Sequence, residues 1–356
     1  MKKIIKWICI ISCAFLLLGI ALVVIGVKLG GKTNWTINIQ DGVFNTASDA
    51  DYVTKAYDLE AFSQIETDTG SEDFKVVKGE GYKVEYCTLA QKEPKIAVKD
   101  GKLSIKVPSN DVMFSLGTVT KDEYIIVTVP DNDDVYNVNI NMTSGSTDFE
   151  KINIKGSIQS TSGEVTVNET KAKEDLSVEY TSGDVNIDNS LFNNIYVKST
   201  SGKFMASNIE SSVFNYETTS GSVDFSNIKT DEMSTDILSG DIDLENLECN
   251  SYKHSAKSGS LTGNNIKTDS FDTDILSGDV DITNMTVDDI VSKSTSGSVE
   301  IGIAGSFDDY GFDIHAASGS IECGNIDVEK ELVIGNEKEK QIKGDLSSGS
   351  ITITFN

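Results

Sequence analysis

The most constraining feature of this sequence is a Ser-Gly pair that recurs about every 19 residues along its second half. Successive glycines are separated by 18, 20, then six times 19, then 22 and 30 residues. Self-similarity at one fixed period of about 20 residues predicts a repeat architecture. The glycines are Gly145, Gly163, Gly183, Gly202, Gly221, Gly240, Gly259, Gly278, Gly297, Gly319 and Gly349.

Each repeat carries the pattern of two β-strands. The residues two and four positions after the glycine are apolar in almost every copy, as in Val165 and Val167, and the positions between them are polar. This alternation has period two, which indicates a half-buried strand and not a helix. A second apolar position lies seven residues before the glycine, as in Leu176 and Ile195, and predicts a second strand there.

A 19-residue unit could be one coil of a β-solenoid or one hairpin of an antiparallel sheet. A hairpin array would repeat Asn-Gly or Asp-Gly at its tight turns, and no such turn recurs. Stacked coils instead require the same residue type at the same offset, as observed. Residues 131–356 also lack proline, which suits continuous ladders. The sequence therefore predicts an all-β, parallel β-solenoid (β-helix) of ~19-residue coils.

An asparagine stands six residues after the glycine in seven repeats. Asn tolerates the left-handed backbone of a corner, and stacked Asn amides can also hydrogen-bond along an axis. Both interpretations are structural, and both stay open at this point. The residues are Asn189, Asn208, Asn227, Asn246, Asn265, Asn284 and Asn325.

Two near-identical segments show a longer period. TDILSGDIDLEN (235–246) and TDILSGDVDITN (273–284) lie 38 residues apart, which is two repeats. Carboxylates stacked directly at ~4.8 Å would repel each other. The position after the glycine reads Ser222, Asp241, Ser260, Asp279, Ser298. We therefore expect the alternation with serine to separate the charges by two coils.

A single membrane helix is predicted at the N-terminus. Residues 7–27 are uncharged and mostly apolar, long enough to cross a hydrocarbon core of about 30 Å. Lys2, Lys3 and Lys6 precede this run and favour a cytoplasmic N-terminus. We expect an uncleaved signal anchor in residues 1–32, in the cell membrane, with residues 33–356 extracellular.

The remaining boundaries follow from composition. Residues 33–51 are polar and predict a linker, residues 52–140 predict irregular first coils with a cap, and residues 141–356 hold the regular repeats. TDTGSEDF (67–74) resembles a degenerate repeat, because Phe74 stands four residues after Gly70, as an apolar residue does after almost every repeat glycine. Loops are expected near 303–311 and 328–341. The chain ends in the strand pattern GSITITF, whose bare edge predicts weak head-to-tail self-association.

The charge limits the partners. The chain holds 30 Lys plus Arg, with no arginine, against 56 Asp plus Glu, for a net charge of −26. Such a surface repels nucleic acid and could attract Ca²⁺, cationic peptides or basic proteins. The weak calcium candidates are Asp241, Asp243, Asp279 and Asp281, although a solvated acidic face is the preferred interpretation.

A catalytic or metal centre is not indicated. His254 is expected to be a partly buried packing residue of its repeat and His315 an outward one, and neither stands in a nucleophile or metal motif. The Ser-Gly pairs are turn signals, because no strand–Ser–helix context surrounds them. The cysteines form no CxxC pair and no disulfide framework. We expect no cofactor and no enzyme activity.

Repeated T-S-G-x-V-x-I strands, led in by V-x-V-P at Val127–Pro130 behind one apolar N-terminal segment, resemble the toastrack-like family of bacterial β-strand repeat proteins named putative adhesins. The resemblance covers roughly residues 52–356 and implies a surface-exposed β-solenoid of unknown function. Some relatives are associated with envelope stress. The family offers no agreed catalytic residues to carry over.

One function is therefore expected, and two alternatives to it are kept in order of preference. The expected function is adhesion or another interaction with the cell envelope through a long repetitive surface, with an unidentified envelope component or protein as partner. The first alternative is a sensor or modulator of envelope stress that binds cationic antimicrobial peptides on its acidic face. The second alternative is a carbohydrate-active β-helix enzyme.

Overall fold

A computed structural model describes residues 52–108 and 122–356 with their side chains, together with Gly19 and the backbone of residues 35–38, 43–45 and 112–116. The strands are β1 Trp35–Asn38, β2 Val43–Asn45, β3 Tyr52–Asp58, β4 Gln64–Thr69, β5 Asp73–Gly79, β6 Lys83–Leu89, β7 Lys95–Lys99, β8 Lys102–Lys106, β9 Val112–Leu116, β10 Tyr124–Pro130, β11 Val135–Met142, β12 Ser146–Glu150, β13 Asn153–Asn168, β14 Leu176–Leu191, β15 Asn194–Ser199, β16 Lys203–Glu248, β17 Ser251–Lys267, β18 Ser270–Thr286, β19 Asp289–Ile303, β20 Tyr310–Cys323, β21 Ile326–Val328, β22 Glu331–Ile334 and β23 Lys340–Phe355. Two short 3₁₀ helices span Ala90–Lys92 and Phe307–Asp309.

Each repeat forms one coil, and successive coils pair in parallel. The repeat glycines are directly in register, with Gly240 beside Gly259 and Gly259 beside Gly278. The strands before and after each glycine pair at the same 19-residue offset, and the Ser-Gly pair turns the chain between them. The predicted parallel solenoid is confirmed, and the hairpin alternative is wrong for the repeat region.

The core runs through the middle of the stack. Along β17 and β18 every second side chain points inward, so that Tyr252, Leu261, Phe271 and Val280 are each at most 1% exposed. Full burial of one such side chain stabilises the fold by roughly 1.5–3 kcal/mol. Because the same offset is buried in each coil, one continuous apolar column joins the repeats.

At the N-terminal end the spatial order of the coils differs from the sequence order. The coil of β4 and β5 lies between the coil of β11 and β12 and an outermost coil built from β8 and β10. The antiparallel strands β3, β6 and β7 cover the outermost coil. The boundary expected at 140/141 falls inside β11, which spans Val135–Met142.

The alignment expected for residues 67–74 is wrong by two positions. Phe74 pairs with Thr147, which stands two residues after Gly145. Glu72, and not Gly70, therefore occupies the slot of the corner glycine in this coil. The sequence did not reveal this shift, because the positions two and four residues after a repeat glycine are both apolar in almost every repeat and Phe74 fits either of them. Gly70 also lies on the same turn as Glu72.

At the C-terminal end the order is inverted again. β23 is the last strand in the sequence, but it pairs in parallel with β19 on one side and with β20 on the other. The expectation that GSITITF forms a bare edge is therefore wrong. The outermost coil is formed by β20, and β21 and β22 each pair with it in antiparallel orientation. The segment expected to be a loop at 328–341 therefore contains β22 and the last residue of β21.

The predicted anchor at residues 7–27 lies outside the described residues, except for Gly19. Within the described part of the chain, no helix is long and apolar enough to cross a membrane. Part of the predicted linker at 33–51 forms strands, because β1 pairs antiparallel with β2 and with β9.

Candidate functional site

The candidate site is the outer surface of the coils, where side chains at one offset form rows parallel to the axis. Its flatness depends on the glycine corners. A Cβ built on Gly259, at φ 139°, would lie 2.0 Å from the carbonyl oxygen of Gly240 in the preceding coil. Backbone of one coil thus touches backbone of the next, and only glycine permits this approach.

The asparagine corner fulfils both interpretations left open by the sequence. From Asn189 to Asn284 each of the six residues has a left-handed φ, between 49° and 58°. Their amides also form a ladder, in which Asn246 Nδ2 donates to Asn227 Oδ1 at 2.9 Å and Asn265 Nδ2 donates to Asn246 Oδ1 at 3.1 Å. Asn325 lies outside the ladder, beside a turn at Gly324 with φ 59°.

A polar groove runs along the axis on one face of six coils, with five coils contributing to each wall. Its volume is about 430 Å³. One wall is a row of exposed threonines two residues before each repeat glycine, and the other is a row of longer polar side chains. We call it the threonine groove; its walls are Thr143, Thr161, Thr181, Thr200 and Thr219 on one side and Asp68, Asn141, Gln159, Glu179 and Lys198 on the other. A groove open at coil after coil suits an extended ligand better than a compact one.

The four calcium candidates do not converge. Asp241 and Asp243 lie exposed on one coil, and Asp279 and Asp281 lie exposed two coils away. Ser260 separates Asp241 from Asp279, as the alternation predicts, and its Oγ donates to Asp241 Oδ1 at 2.6 Å. Among the described residues, no three His, Cys, Asp or Glu side chains are grouped so that they could hold a metal ion.

The two histidines have different environments. His254 is 1% exposed, and its Nδ1 lies 2.9 Å from Thr235 Oγ1. Burial lowers the pKa of His254 to about 4, so the ring is neutral at pH 7. His315 is exposed, as expected, and its Nε2 lies 3.0 Å from Asp313 Oδ1.

The described cysteines are buried packing residues. Cys87, Cys249 and Cys323 are free thiols. Burial raises the pKa of Cys249 to about 11 and that of Cys323 to about 12. Both thiols are therefore protonated at neutral pH, a state that is poorly nucleophilic.

Sequence reasoning missed a buried charge cluster near the N-terminal cap. Glu72 is fully buried, and its Oε2 accepts hydrogen bonds from the backbone N–H of Gly70 at 2.8 Å and of Ser71 at 3.1 Å. Lys92 Nζ lies 3.6 Å from Glu72 Oε1 and 3.2 Å from Glu123 Oε2. This cluster ties the 3₁₀ turn to the first coils, which is a structural role.

The chain is similar to several solved structures at low sequence identity. No curated protein matches this chain. Among solved structures, a putative adhesin from Parabacteroides merdae is 12% identical, with 71% of this chain and 97% of that chain covered and a TM-score of 0.43. A putative adhesin from Parabacteroides distasonis is 12% identical, with coverage of 86% and 98% and a TM-score of 0.39. A putative lipid binding protein from the same species is 12% identical, with coverage of 86% and 96% and a TM-score of 0.38.

A family model covers most of the chain. The toastrack model, DUF4097, matches residues 62–205 and again residues 189–354. The two matches together include nearly all of the coils described above. The chain therefore belongs to the toastrack family DUF4097.

Proposed function

We propose that this chain is an adhesin-like, non-catalytic protein that binds an extended component of the cell envelope. It acts outside the cell, behind the membrane helix predicted at residues 7–27. The observation that supports this most is the threonine groove, which offers hydroxyl, amide and charged groups at a spacing of ~4.8 Å over six coils. A polymer with regularly spaced polar groups can contact each coil in the same way.

Co-sedimentation of the full chain with cell-wall sacculi, at low and at high salt, tests this function. We expect binding that persists at high salt, because hydroxyl and amide contacts are screened less than charge pairs. Thr181→Val with Thr200→Val removes two hydroxyls but keeps the β-branched shape. At about 1 kcal/mol for each hydrogen bond, this double variant should bind about thirtyfold more weakly.

The matched control is Thr295→Val, which changes the same offset outside the groove. It should bind sacculi as the unmodified chain does. Absence of sacculus binding by the unmodified chain, or equal binding by all three proteins, would contradict the groove as the binding site.

A second function is supported by the uncompensated acidic surface. The described coils carry exposed carboxylates without ion-pair partners, including Asp236, Asp241 and Asp279. We propose that such rows bind cationic peptides and so modulate the envelope-stress response. This binding should collapse at high salt, which separates it from the first function.

A further inference from the structure

Two leucines are exposed at a position that is threonine in neighbouring coils. Leu238 is 43% exposed and Leu276 is 52% exposed. Both stand two residues before a repeat glycine, in the row that forms the threonine wall of the groove elsewhere. Thr219 precedes them in this row and Thr295 follows them. Packing does not require leucine here, since the same corner forms with threonine.

The two leucines are neighbours across one intervening coil. Ser239 pairs with Ser258 and Ser258 pairs with Ser277, so the row reads Leu238, Lys257, Leu276. Two coil steps separate the leucines by about 9.6 Å along the axis. Lys257 is exposed and lies between them.

Carboxylates flank this apolar pair on both sides. We call the whole surface the leucine corner: Leu238, Lys257 and Leu276 with Asp236, Asp274, Asp241, Asp279, Asp243 and Asp281. All six carboxylates are exposed, and within the described residues none of them forms an ion pair with a lysine or histidine. Two of these carboxylates accept hydrogen bonds: Asp241 from Ser260 Oγ, and Asp279 from the backbone N–H of Ser298. The surface is therefore apolar along its crest and anionic on both flanks.

We infer that the leucine corner is a docking site for a basic amphipathic helix of a partner polypeptide, aligned with the solenoid axis. In an α-helix, residues seven apart lie on one face about 10.5 Å apart, close to the spacing of the two leucines. Lysines or arginines beside that apolar stripe would face the two carboxylate flanks. This inference rests on the second proposed function and names its site.

A designed peptide of about 18 residues, with leucines on one helical face and lysines on the other, is the probe. Its binding to the full chain is measured by fluorescence anisotropy, at low and at high salt. A scrambled peptide of the same composition, without an apolar face, is the control. We expect the amphipathic peptide to bind at least tenfold more tightly than the scrambled one.

Three variants of the chain locate the site. Leu238→Thr with Leu276→Thr installs the residue of the neighbouring coils and should weaken binding about tenfold. Lys257→Ser removes the one cation from the crest and should strengthen binding several-fold. Val291→Thr, which changes an exposed apolar side chain on another row, should leave binding unchanged.

Two results would overturn the inference. If the leucine double variant binds the amphipathic peptide as tightly as the unmodified chain, the leucine corner is not the binding site. The second proposed function, binding of cationic peptides by the exposed carboxylates, would still stand. If neither peptide binds at low salt, the second proposed function fails with it. Sacculus binding is measured separately and decides the first function alone.

Discussion

At the scale of single residues, the glycine corners impose the strictest requirement. Gly259→Ala would place a Cβ against the Gly240 carbonyl oxygen at a left-handed φ of 139°. We expect a loss of about 3 kcal/mol or more in the free energy of unfolding, measured by urea denaturation. Gly305→Ala is the matched control, because its Cβ meets nothing closer than 3.7 Å. Equal stability of the two variants would contradict the backbone contact between coils.

The asparagine ladder separates into two contributions. Asn246→Gly keeps the left-handed corner and removes the amide hydrogen bonds, and should cost about 1 kcal/mol of unfolding free energy. Asn246→Ala also imposes the left-handed strain and should cost about 1–2 kcal/mol more. Thermal and urea unfolding of both variants tests this order. A glycine variant less stable than the alanine variant would show that the φ of 58° is not essential.

His254 predicts a pH effect of defined sign. Its folded pKa of about 4 lies below the ordinary value of 6.5, so the unfolded chain binds a proton first as pH falls. Stability from this residue is present above pH 6.5 and is lost between about pH 6.5 and 4, by about 3 kcal/mol. His254→Val, the residue of two other coils at this slot, should remove that loss. Identical pH dependence of the two proteins would refute the neutral buried ring.

At this scale the sequence predicted a residue's environment correctly where the same position, counted from the repeat glycine, has the same geometry in each coil. The Ser-Asp alternation and the Asn corner follow from stacking alone, and both are confirmed. His254 was expected to be partly buried and is fully buried, as Val178 and Val197 are at the same offset. The Glu72–Lys92–Glu123 cluster was missed, because it depends on local contacts that the repeats do not share, so periodicity carries no information about it.

At the scale of elements, the inserted position of β23 is the main feature that the sequence did not predict. Every coil presents the same residue types at the same offsets, so any coil can pair with any other. Sequence order therefore suggested β20 against β19, whereas the structure places β23 between them. The strands β21 and β22 then cover β20, which spacing alone could not reveal.

Deleting residues 340–356 tests this arrangement. The deletion removes the strand that joins β19 to β20, so amides in residues 310–334 should lose hydrogen-exchange protection. Amides in β17 and β18, several coils away, serve as the internal control and should stay protected. Unchanged protection of residues 310–323 would contradict the dependence of β20 on β23.

At the scale of the whole molecule, a stack of like coils turns one residue choice into a row. The threonine groove and the leucine corner lie on the same row of the solenoid, and they differ only in which side chain each coil contributes. The sequence predicted a repetitive acidic surface but could not name a binding region, because groove shape depends on how neighbouring rows approach. The function proposed for the threonine groove therefore depends on the number of coils that a ligand contacts.

Binding of cell-wall glycan fragments of increasing length to the full chain, measured by calorimetry, tests that claim most directly. The threonine groove spans five coil steps, or about 24 Å. Affinity should therefore rise with fragment length until the fragment spans the groove and then level off. Equal affinity for the shortest and longest fragments, or no binding of any fragment, would contradict a ligand bound along successive coils.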